Sequence, residues 1–144
     1  MGKNVGGNTI GDDKICLAIE ADPRHLYSTV RAIDAFTRAA CGQFEPLVEV
    51  IAPKTSWQKK HRIMLILKEL LMPTLSDNES IALHLASEDA RAAYEFGRTL
   101  EHVLWIENTK DDPNVDQWCV LKDPAMSVTS WGLPKMKIVT KEGE

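Results

Sequence analysis

The chain holds few of the residues from which specialised architectures are built. No apolar run approaches the roughly 18 residues that a membrane span requires; the longest, IMLIL, is bracketed by Arg62 and Lys68. Cys16, Cys41 and Cys119 are odd in number and widely spaced, so no disulfide framework is expected and a reducing cytoplasm is the simple setting. Four histidines, His25, His61, His84 and His102, show no HxH, HxxxH or HExxH spacing. Structural zinc sites begin with a close ligand pair, so neither a metal nor a cofactor is expected. The opening MGKNVGGNTIGDD lacks the order of a secretory signal, and GGNTIGDDK lacks the spacing of a phosphate loop.

What remains is ordinary soluble-domain material: 144 residues, 44% hydrophobic and 26% charged. That length buries a core without staples. A formal net charge of −4 argues against a dedicated nucleic-acid binder while leaving room for a local basic patch.

Residues 1–13 are rich in Gly, Asn and Asp and read as a flexible tail ahead of one globular domain over 14–144. KICLAIE alternates as a buried strand does. Asp22 then caps a helix with Pro23 in its first turn, ending near Cys41 at Gly42. Leu26, Val30, Ile33, Phe36 and Ala40 form its apolar face. PLVEVIA reads as a strand. Thr55 or Ser56 caps a helix through WQKKHRIMLILKELLM, closed by Pro73; it is apolar on all sides at its centre, so a strand at RIMLIL is the alternative. SIALHLA reads as a strand, although Ser76 and Glu79 also make a capping box. Ser87 starts a last helix. QWCVL, MSVTSW and KMKIV follow as short strands, the last an edge strand guarded by lysine or pairing across a dimer.

Two stretches match. DPRHLYSTVRAID (22–34) and DARAAYEFGRTLE (89–101) share Asp, Arg, Tyr and Arg at the same offsets, and each follows an alternating run. Four identities arise by chance as readily as by duplication. The stronger argument is that the apolar stripes of the two helices correspond. Two strand-helix units predict an α/β (α+β) sandwich, a mixed β-sheet with helices on one face, as in ferredoxin-like split βαβ folds. Arg24, Tyr27, Arg31 and Asp34 share one helix stripe, as do Arg91, Tyr94, Arg98 and Glu101. These are twin partner-binding surfaces or solvated faces stitched by i, i+3 pairs.

Two further sets of residues bear on function. Glu20, Asp22, Glu88 and Asp89 follow presumed strands and, if gathered at parallel strand ends, could hold Mg²⁺ for phosphodiester cleavage; helix capping is the plainer explanation. Lys54, Lys59, Lys60 and Arg62 surround Trp57, a set suited to phosphates and a stacked base. The expectation is a non-catalytic interaction module, an accessory, regulator or inhibitor with a protein partner, forming a homodimer and free of membrane. A nucleic-acid binder using 54–62 is the alternative, and a metal-dependent phosphodiesterase the second.

Overall fold

Helix caps read from the sequence are formed where they were expected, but no sheet joins them. The computed structural model describes residues 14–139. Among these there are four α-helices and no strand: α1 (Pro23–Ala40), α2 (Glu45–Ile51), α3 (Trp57–Leu71) and α4 (Glu88–Thr109). Short 3₁₀ turns occupy Leu83–Leu85 and Val120–Lys122. The α/β sandwich, ferredoxin-like or otherwise, is therefore incorrect. The flexible tail expected over residues 1–13 lies outside the described residues.

Three helices begin on side-chain caps. Asp22 accepts from the Arg24 N–H, Ser56 from Lys59 and Ser87 from Ala90, each satisfying an amide that has no partner within the helix. α1 ends in a Schellman motif. The Gln43 N–H reaches the Arg38 carbonyl at 2.8 Å and the Gly42 N–H reaches Ala39 at 2.9 Å. Gly42 carries the positive φ, 96°, that this closure needs.

The six expected strands fail for separate reasons. PLVEVIA winds into α2, with Glu45 and Pro46 in the first turn and Val48 buried one turn after Phe44. A Pro there lacks only a donor that would have been unpaired. SIALHLA becomes a 3₁₀ turn leading into the Ser87 cap. ICLAIE runs without regular structure, with Ile15 80% exposed; the described residues contain no strand against which it could form a sheet, and a lone strand is not stable. The three segments after α4 likewise contain only the turn at Val120–Lys122.

α1 packs on α4 and α2, and α2 packs on α3. The α1–α4 pair is antiparallel: Tyr27 near the start of α1 accepts a hydrogen bond from Asn108 near the end of α4, and Ile33 meets Gly97 midway. A Cβ at position 97 would lie 2.5 Å from Ile33 Cγ2, so the two backbones meet this closely only because residue 97 is glycine. The core is thin. Among the described residues five of the nine buried apolar ones are alanines, and no large side chain is fully enclosed. Phe36, expected on the apolar face of α1, is 46% exposed.

Gly97→Ala tests the crossing. Ala gains up to about 1 kcal/mol of helix propensity over Gly, against overpacking of about 1–3 kcal/mol. A net loss of about 1 kcal/mol is expected by urea unfolding. Ile33→Ala in the same background should give a favourable coupling energy in a double-mutant cycle.

Candidate functional site

The second matched stripe faces inward along the chain. On α4, Arg91 Nε donates to the Ala86 carbonyl at 3.1 Å and Nη1 to Val128 at 3.0 Å. The Tyr94 hydroxyl accepts from the Met126 N–H at 3.3 Å. Arg98 Nη2 donates to the carbonyls of Val120 (2.9 Å) and Asp123 (2.7 Å). His102 Nδ1 lies 2.7 Å from the Leu121 carbonyl. Between them sits Glu95, buried, accepting from the N–H groups of Val128 and Thr129 at 2.7 and 2.8 Å and from the Thr129 hydroxyl at 2.6 Å. This face of α4 holds residues 120–129 against the helix by hydrogen bonds to main chain. Arg91, Tyr94 and Arg98 are thus engaged within the chain.

The first stripe is mostly exposed, its charged members are paired locally, and Tyr27 accepts from Asn108 of α4. Arg24 contacts Asp22 through Nε at 2.9 Å and Nη2 at 2.8 Å, and its guanidinium and N–H hold the Asp22 carboxyl below its usual range. Arg31 donates to Ser28 at 3.3 Å. The expected Arg31–Asp34 pair is replaced by Arg38–Asp34 at 2.9 Å. Asp34 and Glu101, which hold equivalent places in the matched stretches, nevertheless come together. Both line a cleft of about 380 Å³ between α1 and α4, walled by Val30, Ile33, Tyr94 and Leu121.

The acidic candidates are apart. Asp22 caps α1, while Glu88 and Asp89 lie in the first turn of α4. Because the two helices are antiparallel, these ends are separated by roughly the length of α1, about 27 Å at 1.5 Å per residue. Among the described residues no three His, Cys, Asp or Glu side chains gather to hold a metal ion. The phosphodiesterase reading loses its geometric premise with the sheet.

The basic segment begins α3. Trp57 is 69% exposed and its ring stacks on His61, centroids 5.3 Å apart and planes 8° from parallel. Lys60 is spent on Glu49 (2.8 Å) and the Pro53 carbonyl (3.0 Å). Lys54, Lys59 and Arg62 are exposed. Trp57, Lys60, His61 and Met64 face α2, and Lys68 further along is buried, donating to the carbonyls of Asp77 and Glu79. At 100° per residue, Ile63, Ile66 and Leu70 fall on the opposite side. Ile66 is 49% and Leu70 72% exposed. Sequence reasoning missed this outer stripe, although its signal, apolar residues all around the helix, was present.

No family model matches this chain, and no curated protein or solved structure does so either.

The Glu95 clamp predicts a pH response. Burial raises its carboxyl pKa, but the Thr129 hydroxyl, the two N–H donors and the Arg91 charge outweigh that, so the result lies below the ordinary 4.5. A lowered folded pKa means that the stabilisation is complete above 4.5 and is lost as pH falls through the folded value. The protection factors of the Val128 and Thr129 amides, which remove the intrinsic pH dependence of exchange, should be high at neutral pH and fall on acidification below that range. Glu95→Gln, which offers one acceptor oxygen and an opposed NH₂, should remove the protection at neutral pH and cost about 2–3 kcal/mol.

Proposed function

We propose that the chain is a non-catalytic protein-interaction module that docks helix against helix along the outer face of α3, and that its occupant is α3 of a second copy. The carrying observation is the two-sided α3. A helix apolar on all sides at its centre belongs in a buried setting, yet α2 covers one side, while on the other Ile63 is 39%, Ile66 49% and Leu70 72% exposed. Charge supports self-pairing. Arg62 and Glu69 are exposed, seven residues apart, on either side of Ile66. In an antiparallel, isologous contact, each Arg62 meets the partner's Glu69, and Ile66 lies beside the twofold axis. The thin core fits a protomer that completes its packing by association. No helix of the described residues is long and apolar enough to cross a membrane, and three free thiols suit a reducing cytoplasm, where such a dimer would serve as an accessory, regulator or inhibitor.

Sedimentation equilibrium tests this. The full chain is expected to dimerise and Ile66→Asp to be monomeric with unchanged helicity. Arg62→Glu should weaken the dimer at least about tenfold, near 1.4 kcal/mol, and Arg62→Glu with Glu69→Arg should restore it. A monomer at about 100 µM, or no rescue by the charge swap, overturns the reading.

A second reading is favoured by one observation, the exposed Trp57 at the start of a helix whose cap region and first turns carry Lys54, Lys59 and Arg62, Lys59 and Arg62 lying about 200° and 140° around the helix from it. It makes this end of α3 a single-strand nucleic-acid contact. Fluorescence anisotropy with a labelled oligothymidine should then show affinity falling steeply with salt and lost in Trp57→Ala and Lys59→Glu. Lys60 is unsuited to this test because it braces α2.

A further inference from the structure

The segment that leads into α1 is exposed along its whole length, residues 14–22. Among the described residues, no main-chain N–H or C=O of 15–19 makes a hydrogen bond. Ile15, Leu17 and Ile19 are 80%, 77% and 69% exposed, three large apolar side chains at alternate positions. In an extended chain such positions share one face, and Cys16 and Ala18 take the other. Lys14 opens the stretch, its Nζ donating to the Trp131 carbonyl at 3.1 Å. Glu20 closes it, two residues before the Asp22 cap of α1. Unpaired main chain beside an apolar stripe is what an edge strand presents to another chain.

The order of these residues selects that chain, because KICLAIE is complementary to itself when reversed about Leu17. We infer that residues 14–20 of two copies pair as an antiparallel β-ribbon, with its twofold axis at Leu17. Leu17 then faces Leu17, each Ile15 faces an Ile19, each Cys16 an Ala18 and each Lys14 a Glu20. Large side chains meet large ones, small meet small, and opposite charges close both ends, all favourable cross-strand pairs. A parallel alignment would set Lys14 on Lys14 and Glu20 on Glu20, like charges directly opposed. A carboxylate accepts several hydrogen bonds, so Glu20 takes this role alongside any other. A foreign sheet edge would need the alternation alone and would give no reason for complementary ends. A two-stranded ribbon is marginal by itself, so the contact is weak, and the Ile66→Asp chain stays monomeric at about 100 µM while its segments pair transiently.

Disulfide trapping in the Ile66→Asp, Cys16→Ser chain tests this with the α3 pairing removed, so the two self-contacts fail separately. Leu17→Cys, Ile15→Cys and Ile19→Cys replace side chains of similar exposure, and random collision would cross-link all three alike. In the ribbon the two residues 17 are directly opposed, with Cβ atoms about 5 Å apart, near disulfide reach. The two residues 15 are four positions apart along the strands, about 14 Å. Leu17→Cys is therefore expected to form the covalent dimer at least about tenfold faster than either other variant alone. A mixture of Ile15→Cys and Ile19→Cys should give mainly the mixed dimer. Of Ala18→Pro and Ile19→Pro, one removes a ladder donor whichever residues form the hydrogen-bonded pairs. That one should return Leu17→Cys to the collision rate with helicity unchanged, since neither amide is hydrogen-bonded within the chain. Equal rates for the three cysteine variants, fastest cross-linking of Ile15→Cys with itself, or no effect of either proline overturns the inference.

Discussion

The contact of Ile33 with the bare backbone of Gly97 sets the geometry of this protein. Without a side chain at 97, α1 and α4 approach closely enough for the isoleucine methyl to rest where a Cβ would otherwise sit. The antiparallel direction of that pair then determines what can meet. It places Asp34 and Arg38 of α1 opposite Arg98 and Glu101 of α4, within the cleft beside the crossing. The same direction carries Asp22 and Asp89, superposable in sequence, to opposite ends of the pair. One close approach therefore assembles one group of charges and disperses another.

Polar contacts finish what the small apolar core begins. Alanines supply much of the interior, and each buries too little area to hold a long irregular segment by hydrophobic burial alone. The chain after α4 is instead anchored by Arg91, Glu95, Arg98 and His102, spaced three and four residues apart on one face. Their partners are mainly main-chain groups, which in a segment without regular structure would otherwise be unpaired. Lys68 does the same for the carbonyls of Asp77 and Glu79, at the other edge of the molecule. Charged side chains here take the part that sheet hydrogen bonding plays elsewhere.

Local signals were legible in the sequence and pairings were not. Asp22, Ser56 and Ser87 each announce a helix through a hydrogen bond made within three residues, and Gly42 ends one for an equally local reason. Alternation in ICLAIE, SIALHLA and MSVTSW carries no such closure. It says which side chains could share a face of a sheet, whereas a strand exists only if a distant segment supplies partners. At PLVEVIA a first-turn proline and the burial of Val48 against the neighbourhood of Phe44 outweigh β-branched composition, as tertiary context often does. The matched stretches marked two real helices, and Asp34 and Glu101 among their residues share the cleft. Nothing in the matched letters showed that one stripe would face solvent and the other the chain itself.

That asymmetry reverses the usual inference from polarity. On α4, Arg91, Tyr94 and Arg98, which resemble a recognition surface, are turned with Glu95 onto the protein's own backbone. On α3 the apolar residues that resemble core, Ile63, Ile66 and Leu70, are left facing outward. Burial of polar groups is favourable only when they are paired, and α4 meets most of that condition through carbonyls and amides that no sequence pattern advertises, leaving Arg98 Nη1 and Thr99 Oγ1 without partners. Exposure of an apolar stripe has no comparable local compensation. The unmet demand in this protein is consequently hydrophobic and lies on α3, while its conspicuous charges are mostly satisfied.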